Sequence, residues 1–164
     1  MESLSVRLEI EELIKEFSIN RKEMFEVRKD QWKTILDHIE KHFLHKTHYT
    51  QDLHWGWNRL QEPYYALRFI EQPYKSIKEI IKDEFIWFIA EDHNDKMWVY
   101  EGEKNIIFDK IIPELYHLDE YFLVSKKYEW LVCEDHHEIV HFSGEGIIHQ
   151  AKKFELENES KIIK

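Results

Sequence analysis

Two segments of the chain repeat one another and carry many of its reactive side chains. WFIAEDHND starts at Trp87, and WLVCEDHHE starts at Trp130, 43 residues later. Trp, Glu, Asp and His coincide in place, and each intervening apolar residue is matched by another apolar residue. Each segment reads as an apolar strand that ends in an acidic, His-bearing turn and leads into a second strand. A duplicated strand pair of this kind would set Glu91, Asp92 and His93 beside Glu134, Asp135, His136 and His137. Carboxylate and imidazole together suit Zn²⁺, Mn²⁺ or Fe²⁺. One expectation is therefore a divalent-metal site with His93, His136 and His137 among its ligands. A metal-dependent hydrolase is the enzyme reading that goes with it, since a bound cation activates water. The plain alternative is turn chemistry, because Asp and Asn favour turns without any ligand.

Other residues offer less. His38, His42 and His45 fall at i, i+4 and i+7, so they share one face of a predicted helix, beside its apolar stripe. Such a row can chelate a metal or respond to pH, or simply face solvent. Cys133 is near His136 and His137 in sequence, as a nucleophile and its base would be. A thiol inside an apolar strand is nevertheless expected to be a small buried hydrophobe. Gly144-Glu145-Gly146 lacks the third Gly and the basic residue of a phosphate cradle. His54-Trp55-Gly56-Trp57 places two indoles around a Gly. Either ring can anchor a partner or fill the core, and one ring in with one out satisfies both.

The elements that must position these residues follow from apolar spacing. Val6, Ile10, Leu13, Ile14 and Phe17 predict a first helix. Trp32, Ile35, Leu36, Ile39 and Phe43 predict a second, from about Asp30 to Leu44. Ser18 to Lys29, between them, is read as a turn or a further helical piece. Tyr64 to Ile70 reads as a strand. Ser76 and Glu79 have capping-box spacing and predict a short helix over Ile77, Ile80 and Ile81. Phe85 to Glu91 is apolar without alternation, as in a strand buried on both faces. Asp92 to Asp95 is a turn, and Met97 to Tyr100 a returning strand. Asn105 to Ile112 reads as a helix stopped by Pro113. Tyr121 to Val124 and Tyr128 to Cys133 predict a hairpin around Ser125, Lys126 and Lys127, and Ile139 to Phe142 another strand. The polar tail after Phe154 is expected to fray. Sequential hairpins with helices concentrated at the N-terminus predict an α+β fold, its N-terminal helices packed on a mainly antiparallel sheet of about five to six strands. No Ser/Gly/Pro linker divides the chain, so residues 1–164 are read as one domain.

Composition removes several classes. The 33 acidic and 23 basic side chains leave a formal charge of −10, which disfavours nucleic acid, whose affinity comes from Lys and Arg on phosphates. Aromatics at 15% supply enough burial to offset chain entropy, against disorder. One Cys cannot form an intrachain disulfide. The longest apolar run, Phe85 to Ala90, is far short of the ~20 residues of a spanning helix. MESLSVRLEIEELIKEF has no basic n-region, apolar core or cleavage site. A cytoplasmic location is expected, with no membrane or nucleic-acid partner. The charge is also uneven: Glu91 to Glu145 holds 14 acids and 5 bases, while the remainder is nearly balanced.

Three resemblances stand beside this reading. Asp135-His136-His137 after an apolar strand is similar to the signature tripeptide of the DHH phosphoesterases, which implies Mn²⁺ ligation. The upstream Asp and His motifs of that family are missing here, and the chain has no Asp-x-Asp. The His54-Trp55-Gly56-Trp57 block, WFIAED from Trp87, the Trp98 to Gly102 strand end and SKKYEWLVCEDHHEI from Ser125 to Ile139 resemble a family of small bacterial proteins of unknown function. That resemblance covers about the C-terminal two thirds and implies no activity. The overall plan resembles the SUKH superfamily of immunity and interaction proteins, with Ile112-Pro113-Glu114-Leu115-Tyr116 similar to its Leu-Pro element. The Asn-Gly-Gly that follows in that superfamily is missing.

The first functional expectation is a non-enzymatic protein-binding module, in its specific form a toxin-neutralising immunity protein. Its acidic sheet half would dock a basic partner through Glu91, Asp92, Glu134 and Asp135, with Trp55, Trp57 and Trp98 as anchors. It needs no cofactor. The alternative is the metal-dependent hydrolase built on the two Glu-Asp-His turns.

Overall fold

The computed structural model describes residues 5–46 and 53–164. Its centre is a seven-stranded antiparallel sheet in the order β1-β4-β3-β5-β6-β7-β2. The strands are β1 (Met24–Glu26), β2 (Tyr64–Arg68), β3 (Phe85–Asp92), β4 (Met97–Glu103), β5 (Leu118–Ser125), β6 (Leu131–Glu134) and β7 (Ile139–Ser143). The helices are α1 (Val6–Glu16), α2 (Lys29–Phe43), α3 (Pro73–Ile80), α4 (Lys104–Ile106, continued as a π-turn over Ile107–Ile111) and α5 (Glu145–Glu157).

Alternation along the strands divides the core in two. Ile86, Phe88, Ala90, Tyr121, Leu123, Val132 and Phe142 face α1, α3, α4 and α5. Trp87, Ile89, Val99, Phe122, Val124, Leu131 and Cys133 face Leu36, Ile39 and Phe43 of α2, together with Leu53 and Leu60. β3 is thus covered on both faces, as its unbroken apolar run requires.

The α+β class and the antiparallel sheet stand as expected, with one strand more than the upper count. The extra strand is β1, inside the Ser18 to Lys29 stretch read as a turn or helical piece. Three residues pairing with Tyr100–Gly102 are too few to show a period. The third helix begins at Pro73, three residues before the predicted cap. Proline at the first helical position needs no N–H partner and has its φ already set, so Ser76 lies buried inside the helix. Helices are not concentrated at the N-terminus either. Ile147, Ile148, Ala151 and Phe154 carry α5 against the sheet. Beyond it the tail is docked rather than frayed: Ile70 N donates to Lys161 O and Ile163 N to Arg68 O, both at 2.9 Å, and Ile162 is buried. Among the described residues no helix is long and apolar enough to cross a membrane.

Candidate metal centre

The two repeated segments form the hairpins β3–β4 and β6–β7, and β5 runs between them. Their turns lie at the same end of the sheet, because the C-terminal ends of β3 and β6 both pair with the start of β5. The turns are built alike. Asp92 Oδ1 accepts from the N–H groups of Asn94 (2.9 Å) and Lys96 (3.2 Å). Asp135 Oδ1 accepts from His137 (2.7 Å) and Ile139 (3.2 Å). Left-handed backbone follows at Asp95 (φ 61°) and Glu138 (φ 62°). The second oxygen of each Asp meets the residue six positions on: Trp98 Nε1 donates to Asp92 Oδ2 at 3.4 Å, and His141 Nε2 lies 2.8 Å from Asp135 Oδ2. Both aspartates are buried turn-formers, so their oxygens are already engaged.

The acids that remain available lie between the turns. Glu91 of β3 sits directly across from Glu120 of β5. One residue further the register slips, so that Asp92 pairs with Leu118 and Asp119 becomes the extra residue of a β-bulge. A bulge of this kind re-aims a side chain. Here it lets Asp119 join its neighbour: Glu91, Asp119 and Glu120 each place a carboxylate oxygen within 4.8 Å of the other two. Glu91 is 1% exposed and Glu120 0%. A histidine attends each. His54 Nδ1 lies 2.8 Å from Glu91 Oε1 and 3.7 Å from Asp95 Oδ1. His136 Nδ1 lies 2.9 Å from Glu120 Oε2, which also accepts from His136 N at 3.1 Å. His93, the counterpart of His136 in the first hairpin, has Nδ1 3.7 Å from Asp119 Oδ1.

Glu91 Oε2 and Glu120 Oε1 are buried with no hydrogen-bond partner among the described residues. A buried carboxylate oxygen without a partner is costly. Burial accordingly pushes the Glu91 carboxyl up to about 7, with the Glu120 charge adding to it and His54 opposing. The hydrogen bond to Glu120 raises His136 above the ordinary imidazole range.

A family model matches residues 2–155 of the chain. The chain belongs to DUF6756. That is a family of unknown function. No curated protein and no solved structure matches the chain.

In this DUF6756 chain the predicted site residues fall into separate groups. Trp55 is 50% exposed and stacks on His54 at 5.0 Å. Trp57 is half-buried and stacks on His141 at 5.5 Å, with edge contacts to His136 and His137. Trp98 is half-buried under the Arg7 guanidinium. Glu134 points to the other face of the sheet, where it accepts from Tyr121 Oη, and burial pushes it up to about 7. His93, His136 and His137 are exposed around the carboxylates. Among the described residues, neither acidic group with metal-ligand spacing includes them. His42 stacks on Tyr128, with Nδ1 2.8 Å from His38 O. Cys133 is fully buried and its thiol is pushed well up by burial, which removes it as a nucleophile.

Sequence reasoning missed His54 as a carboxylate partner, and it missed Asp95, Asp119 and Glu120. A signal for Glu120 was present. In Glu120, Phe122 and Val124 the alternation puts an acid on a core-facing position, where charge is expensive unless partnered.

Proposed function

We propose that this protein binds a divalent cation at the end of its sheet, with Glu91, Asp119 and Glu120 as ligands and His54 and His136 holding the two buried carboxylates. The observation that carries this reading is the convergence of three carboxylates within 4.8 Å, two of them retaining a buried oxygen with no partner. A cation would satisfy those oxygens and offset the repulsion between the carboxylates. Hard carboxylate ligands favour Mn²⁺ or Mg²⁺. A cation held there would act as a Lewis acid toward water, as a metal-dependent hydrolase needs, with Glu91, Asp119 and Glu120 in place of the turn residues Asp92, His93, Asp135 and His136. Titration of the metal-stripped protein with Mn²⁺, followed by calorimetry and thermal denaturation, tests the proposal. Saturable binding and a raised Tm are expected, both lost in Glu120→Gln. Absence of heat and of any Tm shift with Mn²⁺, Mg²⁺ and Zn²⁺ would sink it.

One feature favours a second reading, the protein-binding module. Trp55 has left-handed backbone (φ 52°) that holds half its indole out of the core. Asp95 is exposed 3.7 Å from the His54 ring on which Trp55 stacks, and Glu138 is exposed in the matching turn of the second hairpin. A basic partner, a toxin in the immunity version, would dock there by charge complementarity. Glu91, Asp92 and Asp135 are buried and contribute only field, not contact. A cytoplasmic location accords with either reading. Affinity for a candidate partner should fall with ionic strength and with Trp55→Ala; insensitivity to both excludes this version.

A further inference from the structure

Glu91 belongs to two ligand groups at once. One is the all-carboxylate group with Asp119 and Glu120. The other is His54, Glu91 and Asp95, whose ligand atoms also lie within 4.8 Å of one another. From this sharing we infer a second cation position, so that Glu91 bridges two unlike divalent cations. The inference rests on the proposed first cation and extends it. A carboxylate has two oxygens, and those of Glu91 are differently placed: Oε1 is 2.8 Å from His54 Nδ1, while Oε2 is buried without a partner. A cation on the His54 side would replace the proton now shared by Nδ1 and Oε1, releasing it to solvent, and Oε2 would be left for the other side.

The two positions differ in chemistry. The Asp119–Glu120 side offers only oxygen and suits a hard cation. The His54 side offers one nitrogen and two carboxylates, a set that Mn²⁺, Fe²⁺ or Zn²⁺ accepts and Mg²⁺ disfavours. His54 is placed by backbone rather than by chance. It precedes the 3-10 turn Gly56–Arg59, and that turn can lie against Phe122 of β5 because Gly56 carries no side chain. A Cβ on Gly56 would come within 3.4 Å of the Phe122 ring and 3.1 Å of Leu44 Cδ1. The open side of the position faces solvent through Asp95, which is exposed.

Metal counting on the full chain tests this. The protein is stripped, equilibrated with excess Mn²⁺ and analysed for bound metal at equilibrium, with the Mn²⁺ paramagnetic resonance spectrum recorded in parallel. Two Mn²⁺ per chain are expected, with the spectrum broadened by coupling between neighbouring ions. Asp95→Asn is the mildest variant, because Asn tolerates the left-handed backbone there. It should weaken one of the two by at least tenfold and leave the other unchanged. His54→Ala should reduce the count to one and restore the sharp six-line spectrum of an isolated ion. Mg²⁺ should fill one position only. A single Mn²⁺ in the unaltered chain, lost in Glu120→Gln, overturns the second position while leaving the first cation standing. No bound Mn²⁺ overturns both. Two Mn²⁺ that persist unchanged in His54→Ala and Asp95→Asn overturn the assignment of these ligands.

Discussion

Asp92 and Asp135 hold the same place in two hairpins: each is buried, each binds two N–H groups of its own turn through one oxygen, and each meets the residue six positions on through the other. The correspondence extends outward. His93 and His136 follow them and lie against neighbouring acids of β5, Asp119 and Glu120. The hairpins therefore frame β5 from both sides, and the turn aspartates direct their oxygens to groups of their own hairpins.

Asp135→Ala removes the acceptor for His137 N, Ile139 N and His141 Nε2 at a buried position. Leaving such groups unsatisfied costs about 1–3 kcal/mol, so a loss of stability of that order is expected in urea denaturation. Asp135→Asn keeps an oxygen for the turn and should lose clearly less.

Glu134 gives a pH dependence of defined sign. Its carboxyl stands at about 7 in the folded protein, raised by burial from 4.5. The folded state binds that proton more tightly than the unfolded chain does. The stabilisation is complete below the unfolded value and is lost as pH rises through the folded one. Glu134→Gln should therefore remove part of the stability loss seen between pH 4.5 and 7, on the order of 2 kcal/mol. Chemical denaturation at pH 5 and pH 8 measures it, in chelator so that no cation intervenes.

Gly144 has φ 112°, and a Cβ there would lie 2.5 Å from Glu129 O, a backbone atom. Gly144→Ala combines a disfavoured backbone region with a clash that no side-chain movement relieves. A loss of more than about 2 kcal/mol is expected, read as a lowered Tm. A wild-type Tm would contradict it.

Cys133 is fully buried, and its thiol is held protonated by burial and by the nearby acids Glu120 and Asp135. A disulfide reagent should fail to label it in the folded protein and label one thiol per chain after denaturation. Rapid labelling under native conditions would show that β6 opens locally.

Where the apolar period is long, the sequence speaks clearly. The spacing of Val6, Ile10 and Leu13, or of Leu36, Ile39 and Phe43, leaves no choice but a helix with one buried face. The unbroken run from Phe85 to Ala90 demands cover on both sides and receives it. The C-terminal helix was not among the expected elements, although Ile147, Ile148, Ala151 and Phe154 carry helical spacing. β1 was not legible, because three residues at a sheet edge carry no period and form only by pairing with β4.

The repeat at Trp87 and Trp130 pointed to the right end of the molecule. By itself it fixed two hairpins with matching Asp turns, because Asp side chains form such turns from local backbone alone. It could not show which acids stay free. That was decided by the strand order and by the bulge at Asp119, which bring Glu91 against Glu120 and add Asp119 to them. It was decided also by the Gly56–Arg59 turn, which carries His54 across 37 residues of sequence to Glu91. Local patterns set helices, strands and turns because their forces act within a few residues. A cluster of carboxylates from β3 and β5 exists only once the sheet has paired, since it is the pairing that excludes water and forces the charges together.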